Sequence, residues 1–169
     1  KDDNNMVTMN GNQLRVFPCK GFTLPVNTNN ALSSGIIKPT EKGLCSKTIS
    51  FTFDKQYITK SDLMILDMMN NNQWKRAMYF SSAAGTEVSM ALYKSGFLRQ
   101  NGMAWEISPV KSDPNEAMNV DVMYDNMMNR YIYGDLKNPN VLTDYYARRQ
   151  TSIYRQQFGQ LANYFVMKA

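Results

Sequence analysis

Apolar and polar positions along the chain predict short strands that alternate with helices. In the segment TISFTF, residues 48–53, isoleucine and phenylalanine alternate with threonine and serine, which indicates a half-buried strand. Nearer the start, two extended segments flank Asn10-Gly11, a pair that is typical of a tight hairpin turn. Residues 22–26 form a further short extended segment, and Pro25 suits the edge of a sheet.

The stretch YITKSDLMILDMMNNNQWKRAMYF, residues 57–80, carries the strongest pattern. Thr59 is a suitable N-cap and Asp62 follows it by three residues, which is the spacing of a capping box. The helix that follows is largely apolar, and an asparagine run at 70–72 marks its end. Residues 78–80 are a continuous apolar run, which predicts a covered strand. Together with strand 48–53, this stretch predicts a β-α-β unit.

The remaining elements follow the same alternation. A second helix is predicted over residues 87–98, a strand over 102–110 and a methionine-rich helix over 121–131. The last helix, residues 143–168, begins at Thr143 or Asp144 and carries aromatic residues at helical spacing.

These elements define an α/β fold. We expect a short-stranded mixed sheet, at least partly parallel, that is flanked by helices and followed by a long C-terminal helix. Residues 1–142 form the α/β domain, and residues 143–169 form the helix, which we expect to continue into a helical region of a longer parent protein. The absence of a targeting segment and of any long apolar run is consistent with a piece of that kind.

Composition removes several kinds of chemistry. The chain has no histidine, which excludes Ser-His-Asp and Cys-His catalysis and the commonest metal ligand. Cys19 and Cys45 lack the spacing of a zinc site or a redox motif, and they form either one disulfide or two separate thiols. We therefore expect no metal, no cofactor and no catalytic residue in this chain.

The formal charge of +5 comes from scattered residues rather than from a basic stripe. Nucleic-acid binding requires clustered cations with exposed aromatic residues on a recognisable module. We therefore expect no nucleic-acid partner.

One acidic residue invites a catalytic interpretation. Asp67 lies in the apolar helix, where burial would raise its pKa toward the range of a general base. The alternative, which we favour, is a structural pair with Arg76 or with the indole of Trp74. In the same way, Trp74 suits a wedge under a turn better than a platform for sugar stacking.

A small-residue loop, residues 81–86, follows a predicted strand and precedes a helix. Ligands bind at that position in open parallel α/β sheets, and a helix N-terminus attracts anions. The loop lacks the lysine and paired glycines of a nucleotide-binding loop. The candidate ligand-binding residues near these strand ends are Arg76, Tyr79, Ser81, Ser82 and Trp105.

Three separated blocks carry a family resemblance. The segments TKSDLMILDMMNNNQWKRAMYFSS, NGMAWEISPVK and MYDNMMNRYIYGDLKNPNV resemble, in that order, the C-terminal soluble region of a bacterial family of multi-spanning membrane proteins. That family is of unassigned or protein O-mannosyltransferase-like function. The matching residues are Leu66, Asp67, Trp74, Arg76, Tyr79, Phe80, Gly102, Pro109, Tyr124, Asp125, Asn126, Gly134 and Pro139. Ala77 replaces a usual proline and Tyr133 a common tryptophan, so ligand specificity need not be preserved.

The resemblance implies a function for the parent protein rather than for this part of it. Transferase chemistry would lie in the membrane-embedded region, and this chain would be a non-catalytic domain on the periplasmic side of the inner membrane. Its implied partners are the membrane-embedded part of the same polypeptide and a glycan, a lipid-linked sugar or an acceptor protein. The alternative is a stand-alone glycan- or peptide-binding module.

Overall fold

The computed structural model describes residues 5–81, 85–113 and 117–168. Within these residues, the regular elements are supplemented by a 3-10 helix at Pro39–Leu44 and a π-helical segment at Asn126–Arg130. In chain order the regular elements are β1 (Met6–Met9), β2 (Asn12–Pro18), β3 (Gly21–Pro25), α1 (Thr28–Ser33), β4 (Thr48–Thr52), β5 (Tyr57–Thr59), α2 (Lys60–Asn72), β6 (Tyr79–Ser81), α3 (Glu87–Lys94), β7 (Leu98–Gln100), β8 (Ala104–Ile107), α4 (Val120–Asp125) and α5 (Tyr145–Lys168).

The α/β class, the short strands and the long C-terminal helix are confirmed, whereas the expected mixed sheet is not. The described strands form three small sheets in the orders β1-β2-β5, β3-β4 and β6-β8-β7, and all their strand pairs are antiparallel. The predicted β-α-β unit is therefore wrong, because β4 and β6 belong to different sheets. After α2 the chain passes through Gln73 (φ 49°) and Trp74 (φ 64°), both left-handed, and this turn leads β6 to β8 rather than to β4.

The start of α2 is as predicted. The Thr59 hydroxyl accepts a hydrogen bond from the Asp62 backbone N–H, and the Asp62 carboxylate accepts one from the Thr59 N–H at 3.0 Å. Trp74, just after the helix, is buried and donates its indole N–H to the Pro25 carbonyl at 2.9 Å. Trp74 therefore wedges the turn against β3, as the sequence predicted.

Two hydrophobic clusters lie in the described part of the chain. The larger one joins β3, β4, α2, α3 and the β6-β8-β7 sheet around fully buried residues such as Ile49, Leu66 and Leu92. The smaller one places Leu161 of α5 against Met123 and Met127. The second cluster attaches α5 to α4, and this attachment places α5 beside the third sheet.

Local predictions differ in their outcome. The hairpin is confirmed, with Asn10 (φ 51°) and Gly11 (φ 79°) between β1 and β2. Strand β4 has the predicted half-buried alternation, and Asp144 caps α5 by accepting from the Ala147 N–H at 2.7 Å. The covered strand at 78–80 is wrong, since β6 lies at a sheet edge with Tyr79 exposed.

Candidate functional site

The β6-β8-β7 sheet positions the residues with the most interesting chemistry. Its register pairs Tyr79 and Arg99 with Glu106, and it pairs Phe80 and Gln100 with Trp105. Because side chains of adjacent strand residues point to opposite faces, these two groups lie on opposite sides of the sheet. We call the Tyr79, Arg99 and Glu106 side the closed face, and the Phe80, Gln100 and Trp105 side the open face.

The closed face is built around a buried carboxylate. Glu106 is only 5% exposed. One of its oxygens accepts from the Tyr79 hydroxyl at 3.0 Å, and the other accepts from the Asn101 amide at 2.8 Å. A buried charge of this kind is tolerated because both oxygens are hydrogen-bonded. The carboxylate therefore holds β6, β8 and the turn after β7 together.

Tyr79 is electrostatically coupled to this carboxylate. Partial burial, followed by the negative charge of Glu106 and the hydrogen bond to it, raises the pKa of the Tyr79 hydroxyl above its ordinary value of 10.0. The hydroxyl proton of Tyr79 is the proton donated to Glu106 in this hydrogen bond. Tyr79 therefore keeps its proton to a higher pH than an ordinary tyrosine and donates it to Glu106.

Arg99 completes the closed face with a largely covered ion pair. Its guanidinium donates to Glu41 at 2.6 Å and to the Ile36 carbonyl at 3.1 Å. Burial opposes ionisation of Glu41, but the Lys38 backbone N–H and the charge of Arg99 outweigh it and lower the pKa of that carboxyl. The pair fastens the 3-10 helix to β7.

The open face carries a groove of about 670 Å³ between the sheet and α5. Three aromatic rings line it, from Tyr93, Trp105 and Tyr164. The amides of Gln100, Gln160 and Asn163 line it as well. Its volume lies in the range of about 300–1,000 Å³ that is typical of small-molecule sites.

Gln100 connects the two walls of the groove. It is buried, and its amide NH₂ lies within hydrogen-bonding distance of the side-chain oxygens of Gln157 and Gln160 on α5 and of the Gly102 carbonyl. An NH₂ group has only two hydrogens, so it cannot fully satisfy three acceptors. The contact with Gln160 is the longest of the three, at 3.3 Å. The side-chain oxygen of Gln160, which is exposed at the groove, can therefore accept a further hydrogen bond.

The Tyr93–Trp105 pair separates this groove from a second one. Their rings pack edge to face at 5.5 Å and line both cavities. The second cavity, about 240 Å³, is also lined by Ser81 and by Gly85 of the small-residue loop. Both cavities therefore use the same aromatic pair as a common wall.

The structure describes four of the five predicted ligand-binding residues, and these four do not all lie together. Ser81 and Trp105 share the second cavity. Tyr79 points to the closed face, whereas Arg76 lines a small apolar space beside Trp74. Ser82 lies outside the described residues, so its prediction stays untested.

Sequence reasoning missed Gln100, Gln160, Asn163 and Tyr164. The helical spacing of positions 160, 163 and 164 could have indicated three of them, because residues three and four apart share one side of a helix. Nothing in the sequence indicated that this side faces Trp105, because that contact depends on how α5 packs.

Neither interpretation of Asp67, the buried general base or the favoured structural pair, agrees with the structure. Asp67 is exposed and accepts a hydrogen bond from Asn71 at 3.0 Å. Its predicted partners are also wrong, because the Trp74 indole donates to the Pro25 carbonyl and the ion pairs of the described residues do not join Asp67 to Arg76. The buried acid of α2 is Asp62, which caps the helix.

The thiols and acids of the described residues form no metal-binding group. In the part of the chain that the structure describes, no set of three or more Cys, Asp or Glu side chains lies close enough to hold an ion. Cys19 and Cys45 are free and half-buried, which decides the open question about them in favour of two separate thiols.

Comparison with known families identifies the chain. The model of the family described as TMEM260-associated domain 2 matches residues 1–125, so the chain belongs to that family, which is associated with a membrane protein. No curated protein and no solved structure matches it significantly. Among the described residues, no helix has the length and hydropathy that a membrane span requires. The match ends before α5, so the groove joins a wall inside the matched region to a wall beyond it.

Proposed function

We propose that this chain is a non-catalytic domain of a multi-spanning, glycosyltransferase-like membrane protein. It lies on the periplasmic side of the inner membrane, where it positions an acceptor or a lipid-linked sugar, or stabilises the parent. The observation that supports a membrane-protein parent is the family match over residues 1–125, whereas the periplasmic side and the glycosyltransferase-like function rest on the sequence resemblance. The protein O-mannosyltransferase-like character of the parent comes from the sequence resemblance alone.

The use of the buried acids supports a non-catalytic role. A general acid or base must exchange a proton with a substrate that reaches it. Asp62 is committed to the cap of α2, and both oxygens of Glu106 are hydrogen-bonded within the closed face. The two buried carboxylates of the described chain therefore serve the fold.

The groove on the open face favours a second candidate function. A stand-alone glycan- or peptide-binding module would need a concave, partly aromatic surface with amides, and the groove has both. The two functions differ in the parent protein, which is membrane-embedded in the first and not in the second.

Fractionation of the complete polypeptide that carries this domain tests the proposal. We expect the tagged full-length protein in the membrane fraction, with the domain cleaved by protease added to spheroplasts. A cytosolic loop of the same protein, tagged separately, is the matched control and is expected to stay intact. Full-length protein in the soluble fraction, or a domain that is protected in spheroplasts, would contradict the proposal.

A further inference from the structure

We propose that the groove between α5 and the open face is a binding site for a neutral glycosyl unit. The inference deepens the proposed function and rests on it only for the biological role of the sugar. The site itself is defined by the residues that line the groove, and it differs from the strand-end site that the sequence predicted.

The aromatic lining suits the apolar side of a sugar ring. Pyranose rings present patches of C–H groups, and these patches pack against the electron-rich faces of aromatic rings. Trp105 and Tyr93 lie on one wall, and Tyr164 lies on α5. The Tyr93 and Trp105 rings meet edge to face, with an angle of 90° between their planes, and therefore do not stack face to face on each other.

The amides supply what the hydroxyl groups of a sugar require. Each amide offers donors and an acceptor a short distance apart, which matches neighbouring hydroxyls that both donate and accept. Gln160 has acceptor capacity that the Gln100 amide leaves unused, and Asn163 adds a second exposed amide on α5.

The charge of the lining argues against a phosphate or an acidic ligand. Lys168 is the one charged residue among the described groove residues, and its ammonium lies over the Tyr164 ring at 5.8 Å from the centroid. Anion sites use several charged donors or backbone N–H groups. The groove therefore recognises the sugar portion of a ligand, whether it is free, attached to a peptide or attached to a lipid.

The chain contains two tryptophans, which gives the test an internal control. Trp105 lines the groove, whereas the Trp74 indole N–H is bonded to Pro25 in the turn after α2. We would titrate the 169-residue chain with methyl glycosides of mannose, glucose, galactose and N-acetylglucosamine and follow both indole N–H signals by NMR. With at least one sugar, the Trp105 signal is expected to shift with a dissociation constant of about 1 mM, while the Trp74 signal stays in place.

Variants on α5 connect the shift to the groove without disturbing the core. Gln160→Ala and Asn163→Ala each remove an exposed amide and are expected to weaken binding about fivefold. Gln156→Ala is the matched control, because Gln156 is exposed on the same helix and does not line the groove. Binding that survives both groove substitutions unchanged would overturn the assignment.

Further arms separate the sources of the sugar and the competing ligand class. A serine- and threonine-rich peptide is titrated with and without one attached sugar, and only the glycosylated form is expected to shift Trp105. A shift with the bare peptide, or no Trp105 shift with any sugar, overturns the glycan site. Neither result bears on membrane localisation, so the proposed function fails only in the fractionation experiment.

Discussion

The two faces of the β6-β8-β7 sheet use adjacent residues for opposite purposes. On the closed face, Glu106 has both oxygens bonded by neighbouring side chains. On the open face, the preceding residue in the strand, Trp105, lines two cavities. The closed face has the more conspicuous polar groups, and its central carboxylate is bonded internally, although Arg99 Nε and Asn101 Oδ1 are buried there without a hydrogen-bond partner among the described residues. A buried carboxylate with satisfied partners indicates stability, whereas aromatic rings and amides around open space indicate binding.

Removal of the central carboxylate should have the largest effect on stability. Glu106→Ala leaves the Asn101 amide buried without its acceptor and opens a cavity, so we expect a loss of about 3 kcal/mol in the free energy of unfolding. Urea denaturation measures it. A loss below about 1 kcal/mol would show that the closed face does not hold the sheet together.

Gln100→Ala should have the next largest effect, because Gln100 joins the sheet to α5. The substitution leaves the buried Gln157 side chain without its donor, and we expect a loss of about 2 kcal/mol. Hydrogen exchange should accelerate in α5 more than in β4. Equal acceleration in both elements would mean that α5 does not depend on this contact.

Tyr79→Phe sharpens the comparison through its pH dependence. Loss of one hydrogen bond to Glu106 should cost about 1 kcal/mol at neutral pH. Because the folded pKa of Tyr79 is raised, its contribution is fully present below the ordinary value of 10.0 and is lost as the pH rises through the folded pKa. The free energies of unfolding of the unsubstituted chain and of Tyr79→Phe should therefore converge as the pH rises above 10.0, which urea denaturation at a series of pH values measures. A difference that stays constant through this range would contradict the coupling to Glu106.

Substitutions in the groove should have the smallest effect on stability. Gln160→Ala and its control Gln156→Ala both truncate exposed side chains of α5, so each should change the free energy of unfolding by less than about 0.5 kcal/mol. Thermal or urea denaturation of the two variants checks this. A loss above about 1 kcal/mol for Gln160→Ala alone would indicate that the groove wall is part of the structural core.

Local features of the fold were predictable from sequence, whereas its assembly was not. The Thr59 capping box, the Asn10-Gly11 turn and the alternation in β4 depend on residues close in sequence. The sheet pairing depends on the left-handed turn at Gln73 and Trp74, which no glycine marks.

The candidate site shows the same limit. Trp105 lines both cavities, and its predicted role in ligand binding stays a prediction. Gln160 and Asn163 were missed because their proximity to Trp105 depends on packing across about sixty residues of chain, which periodicity within one helix does not encode. Asp67 was misplaced because the apolar stretch around it suggested that most faces of α2 are covered, whereas the face that carries Asp67 is exposed.

The most direct test of the contrast between the faces compares two side-chain amides in one NMR titration. Gln160 belongs to the groove, and Asn101 belongs to the closed face, where its amide is bonded to Glu106. With a methyl glycoside that shifts Trp105, the Gln160 NH₂ signals should shift with the same dissociation constant while the Asn101 signals stay unchanged. Shifts at Asn101 with Gln160 unaffected would contradict the account and place the binding site on the other side of the sheet.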